Sequence, residues 1–321
     1  MKSLFSDIRW AKIQEPREGG VLDSFLFENE YGRLIYRYVK KKAGIVNGVQ
    51  YYDIASYRGV AGPLIEQVSP GKEEGFVRAF NKKFDEYCAD KKIIAEFAKI
   101  DPWNEYHRFI EKGCGAEYYG NFYCNFLDED FYEKRYNRNA TRAIRKAENG
   151  GVKVQIDMTG ETINDFVRLY RNTENKYHTG DYYNFEYEDI KEYFDVFGKD
   201  AFLINAVLNG EVITAVLVVC GVDIVHYYLL GNNPEYFKLQ CNSLLTYHAA
   251  LYGQKLGKKV FDMGGGKPGG NIELFKMNFT GEAGVIKYYA IKKIRNKSVY
   301  DTLVMKKNEI KNEHFFPLYR G

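Results

Sequence analysis

At 321 residues the chain is longer than one average core needs, so two domains of about 150 residues are expected. With 45% apolar and 28% charged residues and only 7 prolines, the composition is that of a soluble globular protein and excludes a disordered or low-complexity chain. A formal net charge of +3 is too small to mark a nucleic-acid binder, although Lys287 to Arg320 carries nine Lys/Arg against three Asp/Glu. The opening MKSLFSDIRWAKIQEPREGG lacks the apolar core of a secretory signal. The longest apolar run, Ile213 to Val222, is broken by a threonine and too short to span a bilayer, so a cytoplasmic protein without an integral membrane segment is expected. Five cysteines (Cys88, Cys114, Cys124, Cys220, Cys241), odd in number and with no C-x-x-C, argue against a disulfide frame or a zinc site, and no metal is expected. The 28 Tyr and 22 Phe belong mainly in the core, with a surplus that could line a groove for sugars or peptides.

In chain order, YYDIASYRGVAGPLIEQ reads as a strand and then a loop around Gly59, Gly62 and Pro63. Glu73 to Lys92 places Phe76, Val77, Phe80, Phe84, Tyr87 and Cys88 on one helical face, and a strand follows over Ile93 to Ile100. Phe131 to Glu148 reads as one helix opened by Asp128-Glu129-Asp130 and ended by Gly150-Gly151; it carries Arg135, Arg138, Arg142 and Arg145 on one face. Val152 to Ile156 is a strand, and two amphipathic helices follow, one with Ile163, Phe166, Val167 and Tyr170, the other with Tyr187, Ile190, Tyr193, Phe194 and Phe197. Ala201 to Leu208, Val212 to Val219 and Ile224 to Leu230 form a meander with a tight Asn209-Gly210 turn. Asn242 or Ser243 caps a helix over Leu244 to Leu256 closed by Gly257, and a strand over Lys259 to Met263 runs into glycines. Each half thus reads strands, loop, helix, strand, loop.

Gly264-Gly265-Gly266-Lys267-Pro268-Gly269 satisfies G-x-G-x-x-G, yet it follows an antiparallel meander and only about 50 residues remain, too few for a dinucleotide-binding sheet. Pro268 also removes an amide that a pyrophosphate would need. Phe261 in place of the first glycine, and the proline after the lysine, exclude a Walker loop.

A three-strand meander, a capped helix, a parallel strand, a glycine loop and a short helix is the order of the GNAT N-acyltransferase fold, whose fourth and fifth strands splay around the acyl donor. The gap is expected between Ile224–Leu230 and Lys259–Met263. Five stretches, YYDIASYRGVAGPL, KIDP, NRNATRAIRKAENGGVKV, NSLLTYHAALYGQKLGKKVFDMGGG and ELFKMNF, in this order, resemble the Fem-type aminoacyltransferases of peptidoglycan bridge synthesis and their tandem GNAT relatives over most of the chain. The resemblance implies an α/β fold with two GNAT-like lobes in tandem and a cleft between them: 1–150 with the basic junction helix, and 151–321 as the catalytic lobe. It makes the C-terminal segment a candidate to fold back on the first lobe.

By the same resemblance, Phe275-Lys276 lies at the reaction centre, where a fixed ammonium would stabilise the oxyanion of an attacked ester or thioester. Without it, Lys276 would read as a solvent-facing lysine opposite a core face of Ile272, Phe275 and Phe279. Asp101 matches an acidic position that would accept a proton from the acceptor amine or hold it; an Asp-Pro turn is the alternative. Gly264, Gly265 and Gly266 would let the backbone approach the donor closely. Asn242, Ser243 and Tyr57 are candidate donor- or substrate-binding residues, as are Arg138, Arg142 and Arg145, which could grip phosphates or form an ordinary solvated face. His226 and His248 read as structural.

The expected activity is N-acyl transfer onto an amine of a cell-envelope precursor, a peptidoglycan stem peptide or an amino-sugar nucleotide. Acyl-CoA or aminoacyl-tRNA would be the co-substrate, with no permanently bound cofactor. The sequence lacks the usual R/Q-x-x-G-x-G/A pyrophosphate loop, NNPEYFKLQCNS standing in its place, and lacks a coiled-coil arm, so the donor stays open, as does the oligomeric state. The competing expectation is a non-catalytic RNA- or polyanion-binding module with degenerate lobes.

Overall fold

The computed structural model describes residues 1, 3–177, 181–266, 268–307, 310 and 312–321. Its chain falls into a first unit, Phe5–Tyr119 with Lys287–Gly321, and a second, Met1–Leu4 with Gly120–Ile286. The sequence suggested a division at residue 150, with the C-terminal segment a candidate to fold back on the first lobe.

The first unit begins with α1 (Ile8–Gln14), capped by Asp7, whose carboxylate accepts the Arg9 amide at 2.8 Å. Strands β1 (Val21–Asn29), β2 (Gly32–Val46) and β3 (Val49–Ala55) form an antiparallel meander, with Asn47 and Gly48 at positive φ making the second turn. After β4 (Leu64–Val68), an edge partner of β2, comes α2 (Glu73–Asp90). Glu73 and Glu74 complement the α2 dipole, and Phe76, Val77, Phe80, Phe84 and Cys88 are buried as their spacing predicts. Strand β5 (Ile93–Lys99) then runs parallel to β3, with Ala55 opposite Phe97. The helix α3 (His107–Cys114) and strand β6 (Glu117–Phe126) lead into the second unit.

There the single helix expected over Phe131 to Glu148 is two: α4 (Phe131–Arg135) and α5 (Arg138–Asn149). The break lies at Tyr136, which is extended, and at Asn137, whose side-chain oxygen accepts the Asn139 and Ala140 amides. A short polar side chain that satisfies backbone donors starts a new helix instead of continuing the old one. Next come β7 (Lys153–Asp157), α6 (Ile163–Tyr177) and α7 (Tyr187–Phe197), then β8 (Ala201–Leu208), β9 (Glu211–Cys220) and β10 (Ile224–Asn232). Asn209 (φ 52) and Gly210 (φ 84) make the expected tight turn. The middle strands β8 and β9 are buried on both faces, which accounts for their unbroken apolar runs. The helix α8 (Cys241–Lys255), strand β11 (Val260–Gly266) and helix α9 (Asn271–Thr280) complete the site-bearing region. In this unit the strand order is β6-β11-β10-β9-β8-β7.

Strand β12 (Val285–Ile294) and helix α10 (Lys297–Met305) return to the first unit, where β12 pairs with β5 from Ala290–Lys99 to Ile294–Ala95. The basic charges of this segment are largely engaged. Arg295 is buried against Glu96 and Asp85, Lys293 reaches Asp85 at 2.9 Å, and Arg320 reaches Asp53 at 2.8 Å.

The order of three antiparallel strands, helix, then a strand parallel to the third occurs in both units: β1-β2-β3-α2-β5, with the edge strand β4 inserted before α2, and β8-β9-β10-α8-β11.

Candidate active site

In the second unit β10 and β11 pair only from Ile224–Val260 to His226–Asp262. Beyond that level each strand is irregular. The β10–β9 register shifts between Tyr227 and Leu229, and the β11–β6 register shifts between Asp262 and Gly265. Bulges bend and twist a strand, and here they end the pairing of the two parallel neighbours at one level. The gap expected from the sequence is therefore present.

The glycines are not a loop, as expected, but the last residues of β11, with Gly265 opposite Phe122 and Gly266 opposite Asn121. Gly264 sits in the bulge at φ 73, a conformation that a side chain would strain. A β-carbon there would also stand 3.7 Å from Lys276 Nζ. Lys267 lies outside the described residues.

Lys276 reaches back from α9 and donates to the Gly265 carbonyl at 2.6 Å, with Nζ 5.9 Å from the centroid of the Tyr123 ring. Its partial burial pushes its pKa down to about 8, while the negative charge of Asp262 opposes that shift. It is thus not the freely solvated lysine of the plain reading. The apolar face is also not the expected one: Phe279 is buried and Phe275 packs on it at 5.0 Å, but Ile272 is 52% exposed.

Behind the bulge lies a polar row across three strands that the sequence did not announce. Asp262 Oδ1 accepts the Gly264 amide at 2.7 Å and the Cys124 thiol at 3.6 Å, and Oδ2 meets His226 Nδ1 at 3.0 Å. His226, Asp262 and Cys124 are all buried. The Cys124 pKa is raised well above its ordinary value by burial and by the Asp262 charge, so this thiol stays protonated and can donate. A clue was present in the sequence: an aspartate within the apolar strand Val-Phe-Asp-Met has to find partners.

Phe275 also lines a pocket of about 280 Å³ with Thr214, Asn232, Tyr236, Gln240 and Asn242. The α8 helix begins at Cys241 behind a left-handed Gln240, so Asn242 and Ser243 lie in its first turn and neither is the cap. Asn242 faces this pocket, whereas Ser243 is buried, 3% exposed. Among the described residues that line the pocket none is charged, which leaves the α8 N-terminus as its positive feature.

The remaining candidates are on other elements. Arg138, Arg142 and Arg145 are exposed on α5, whose inner face is Ala140, Ile144 and Ala147. Arg135 leaves that stripe: it belongs to α4 and pairs with Asp128 at 3.1 Å. Asp101 and Tyr57 are in the first unit, bordering a small recess there with Arg37. Asp101 accepts the Trp103 amide at 3.0 Å, and Tyr57 is buried with its hydroxyl on the Phe5 carbonyl at 2.9 Å. The structure therefore gathers Phe275, Lys276, Gly264–Gly266 and Asn242 around the end of β11 and the start of α8.

Residues 134–276 match the model of the acetyltransferase (GNAT) domain family. A comparison with curated proteins gives no match. Among solved structures, FemX superposes with a TM-score of 0.69 at 13% identity over 93% of this chain and 94% of its own. The C-terminal domain of a putative lysylphosphatidylglycerol synthetase from Agrobacterium fabrum gives 0.59 at 10% identity over 95% and 91%. L-PGS from Bacillus licheniformis gives 0.51 at 12% identity over 94% and 95%. At such identities the likeness is one of fold, and that fold is a Fem-type pair of GNAT-like units.

Proposed function

We propose that this chain, a protein of Fem-type tandem GNAT fold, is an N-acyltransferase that moves an acyl or aminoacyl group from an activated ester or thioester to an amine. The observation that carries the reading is the Lys276 ammonium, held on the Gly265 carbonyl at 2.6 Å where β10 and β11 part. The acceptor nitrogen attacks the carbonyl carbon, and the carbonyl electron pair moves onto oxygen. Lys276 stabilises that oxyanion in a site where partial exclusion of water strengthens the interaction. Collapse expels the alcohol or thiol, which takes up the proton released by the nitrogen, and leaves an amide. Phe275 and the Asn242 side of the uncharged pocket border the donor.

Acyl-CoA or aminoacyl-tRNA is the donor, and the amine of a cytoplasmic cell-envelope precursor is the acceptor in this reading. The likeness to FemX supports this reading, and the C-terminal domain of the putative lysylphosphatidylglycerol synthetase from Agrobacterium fabrum shares the fold. Lys276→Ala is expected to lower turnover on the order of 10²-fold or more, measured with acetyl-CoA or charged tRNA against a panel of amines. Turnover equal to that of the unsubstituted protein would sink the assignment. A second reading, an RNA- or polyanion-binding module without catalysis, draws on the exposed Arg138, Arg142 and Arg145.

A further inference from the structure

The reaction drawn above gives Asp262 no step, although it is the most elaborately held side chain at the centre. At 2% exposure its carboxylate is almost wholly removed from water, a costly state unless donors replace the lost hydration. Three donors do so: the Gly264 amide, the Cys124 thiol and His226 Nδ1. Of these, the Gly264 bond matters most to the site. It ties down a residue at φ 73, and the carbonyl of the very next residue receives Lys276 Nζ. Histidine, carboxylate, bulge and lysine thus form one connected chain of contacts.

We propose that Asp262 is the positioning residue of this centre: its carboxylate sets the Gly264–Gly265 bulge on which Lys276 rests and keeps the lysine charged in a largely dry site. The purpose of this device rests on the acyltransferase reading; its geometry does not. The other titratable side chains near Lys276 do not duplicate the role. Cys124, on β6, is a neutral thiol, and Tyr123, on the same strand, presents its ring. Glu273, on α9 itself, is engaged by the Tyr123 hydroxyl and the Gly269 amide. Asp262 is therefore the anion that works against the burial of the ammonium.

Competitive labelling of Lys276 with acetic anhydride as pH is raised, read by mass spectrometry of its peptide, reports the ionisation of this one amine. In the unsubstituted protein the midpoint is expected at about 8. In Asp262→Asn, which keeps an oxygen for the Gly264 amide but loses the charge and one of the two acceptor oxygens, the midpoint should fall by about one pH unit or more. The pH at which turnover declines should fall with it. A merely structural aspartate would alter the melting temperature and leave the midpoint in place, and that result overturns the proposal. Should Asp262→Asn not fold, amide exchange in the unsubstituted protein decides: slow exchange at Gly264 is expected, and exchange at the rate of a free peptide refutes the anchoring bond. Labelling needs no substrate, so a protein that transfers no acyl group would defeat the functional reading and leave this test standing.

Discussion

Lys276 illustrates how a partly buried ammonium is held at a cost in stability. Its folded pKa of about 8 lies below the ordinary lysine value, so between the two the unfolded chain binds more protons than the folded one. Stability therefore rises with pH across that interval, and near neutrality the charged lysine disfavours folding. Lys276→Met should accordingly melt at the same or a higher temperature than the unsubstituted protein at pH 7 while losing turnover. Its advantage should shrink as pH rises from about 8 toward the ordinary lysine range. Under the proposed reaction, which uses the ammonium, turnover should have the opposite dependence and decline as pH passes about 8. A variant that melts well below the unsubstituted protein at pH 7 would show that the lysine is structural.

Among elements, the β7–α6 junction and the α5 helix make contrasting predictions. Asp157, 5% exposed at the end of β7, accepts from the Thr159, Gly160 and Thr162 amides and from the Thr162 hydroxyl at 2.6 Å. Burial works against its charged form, but these bonds prevail and hold its pKa down to about 2. A depressed carboxylate contributes stability above its unfolded value and loses it as pH falls through the folded one. Asp157→Asn should thus cost about 1–3 kcal/mol in denaturant unfolding at neutral pH, and the deficit should close as pH drops from about 4 to about 2. A deficit that persists unchanged in acid would mean that packing, and not charge, is lost. The α5 helix buries Ala140, Ile144 and Ala147 and leaves Arg138, Arg142 and Arg145 in solvent, so the arginines have no packing duty. If the polyanion reading holds, Arg142→Ala should weaken RNA binding and reduce its salt slope by about 1, with no change in melting temperature. RNA binding without that salt response, or no binding at all, would remove α5 from consideration.

For the molecule as a whole, ligand-dependent melting tests the proposed donor directly. A ligand at 100 times its dissociation constant that binds only the folded protein adds about 2.7 kcal/mol. A shift with acetyl-CoA would favour a coenzyme A thioester; a shift confined to a UDP-linked peptidoglycan precursor would favour the Fem reaction and make charged tRNA the next donor to test. No helix among the described residues is long and apolar enough to cross a membrane. Much of the fold was legible because it depends on near neighbours in the chain: the Asn209-Gly210 turn, the α2 stripe from Phe76 to Cys88, and the repeated order of meander, helix and parallel strand. The prominence of Phe275-Lys276 came from a resemblance, since a lysine next to a phenylalanine has no distinctive local physics. What escaped the sequence is what tertiary contact creates. His226 and Asp262 are 36 residues apart and meet only because the crossover through α8 lays β11 beside β10. The positive charges of the C-terminal segment looked available until folding set Arg295 against Glu96 and Arg320 against Asp53. Periodicity and turn chemistry are written residue by residue and so determined the elements and their order. The bulge at Gly264, the buried carboxylate behind it and the lysine before it depend on which strands become neighbours, and only the tertiary structure decided that.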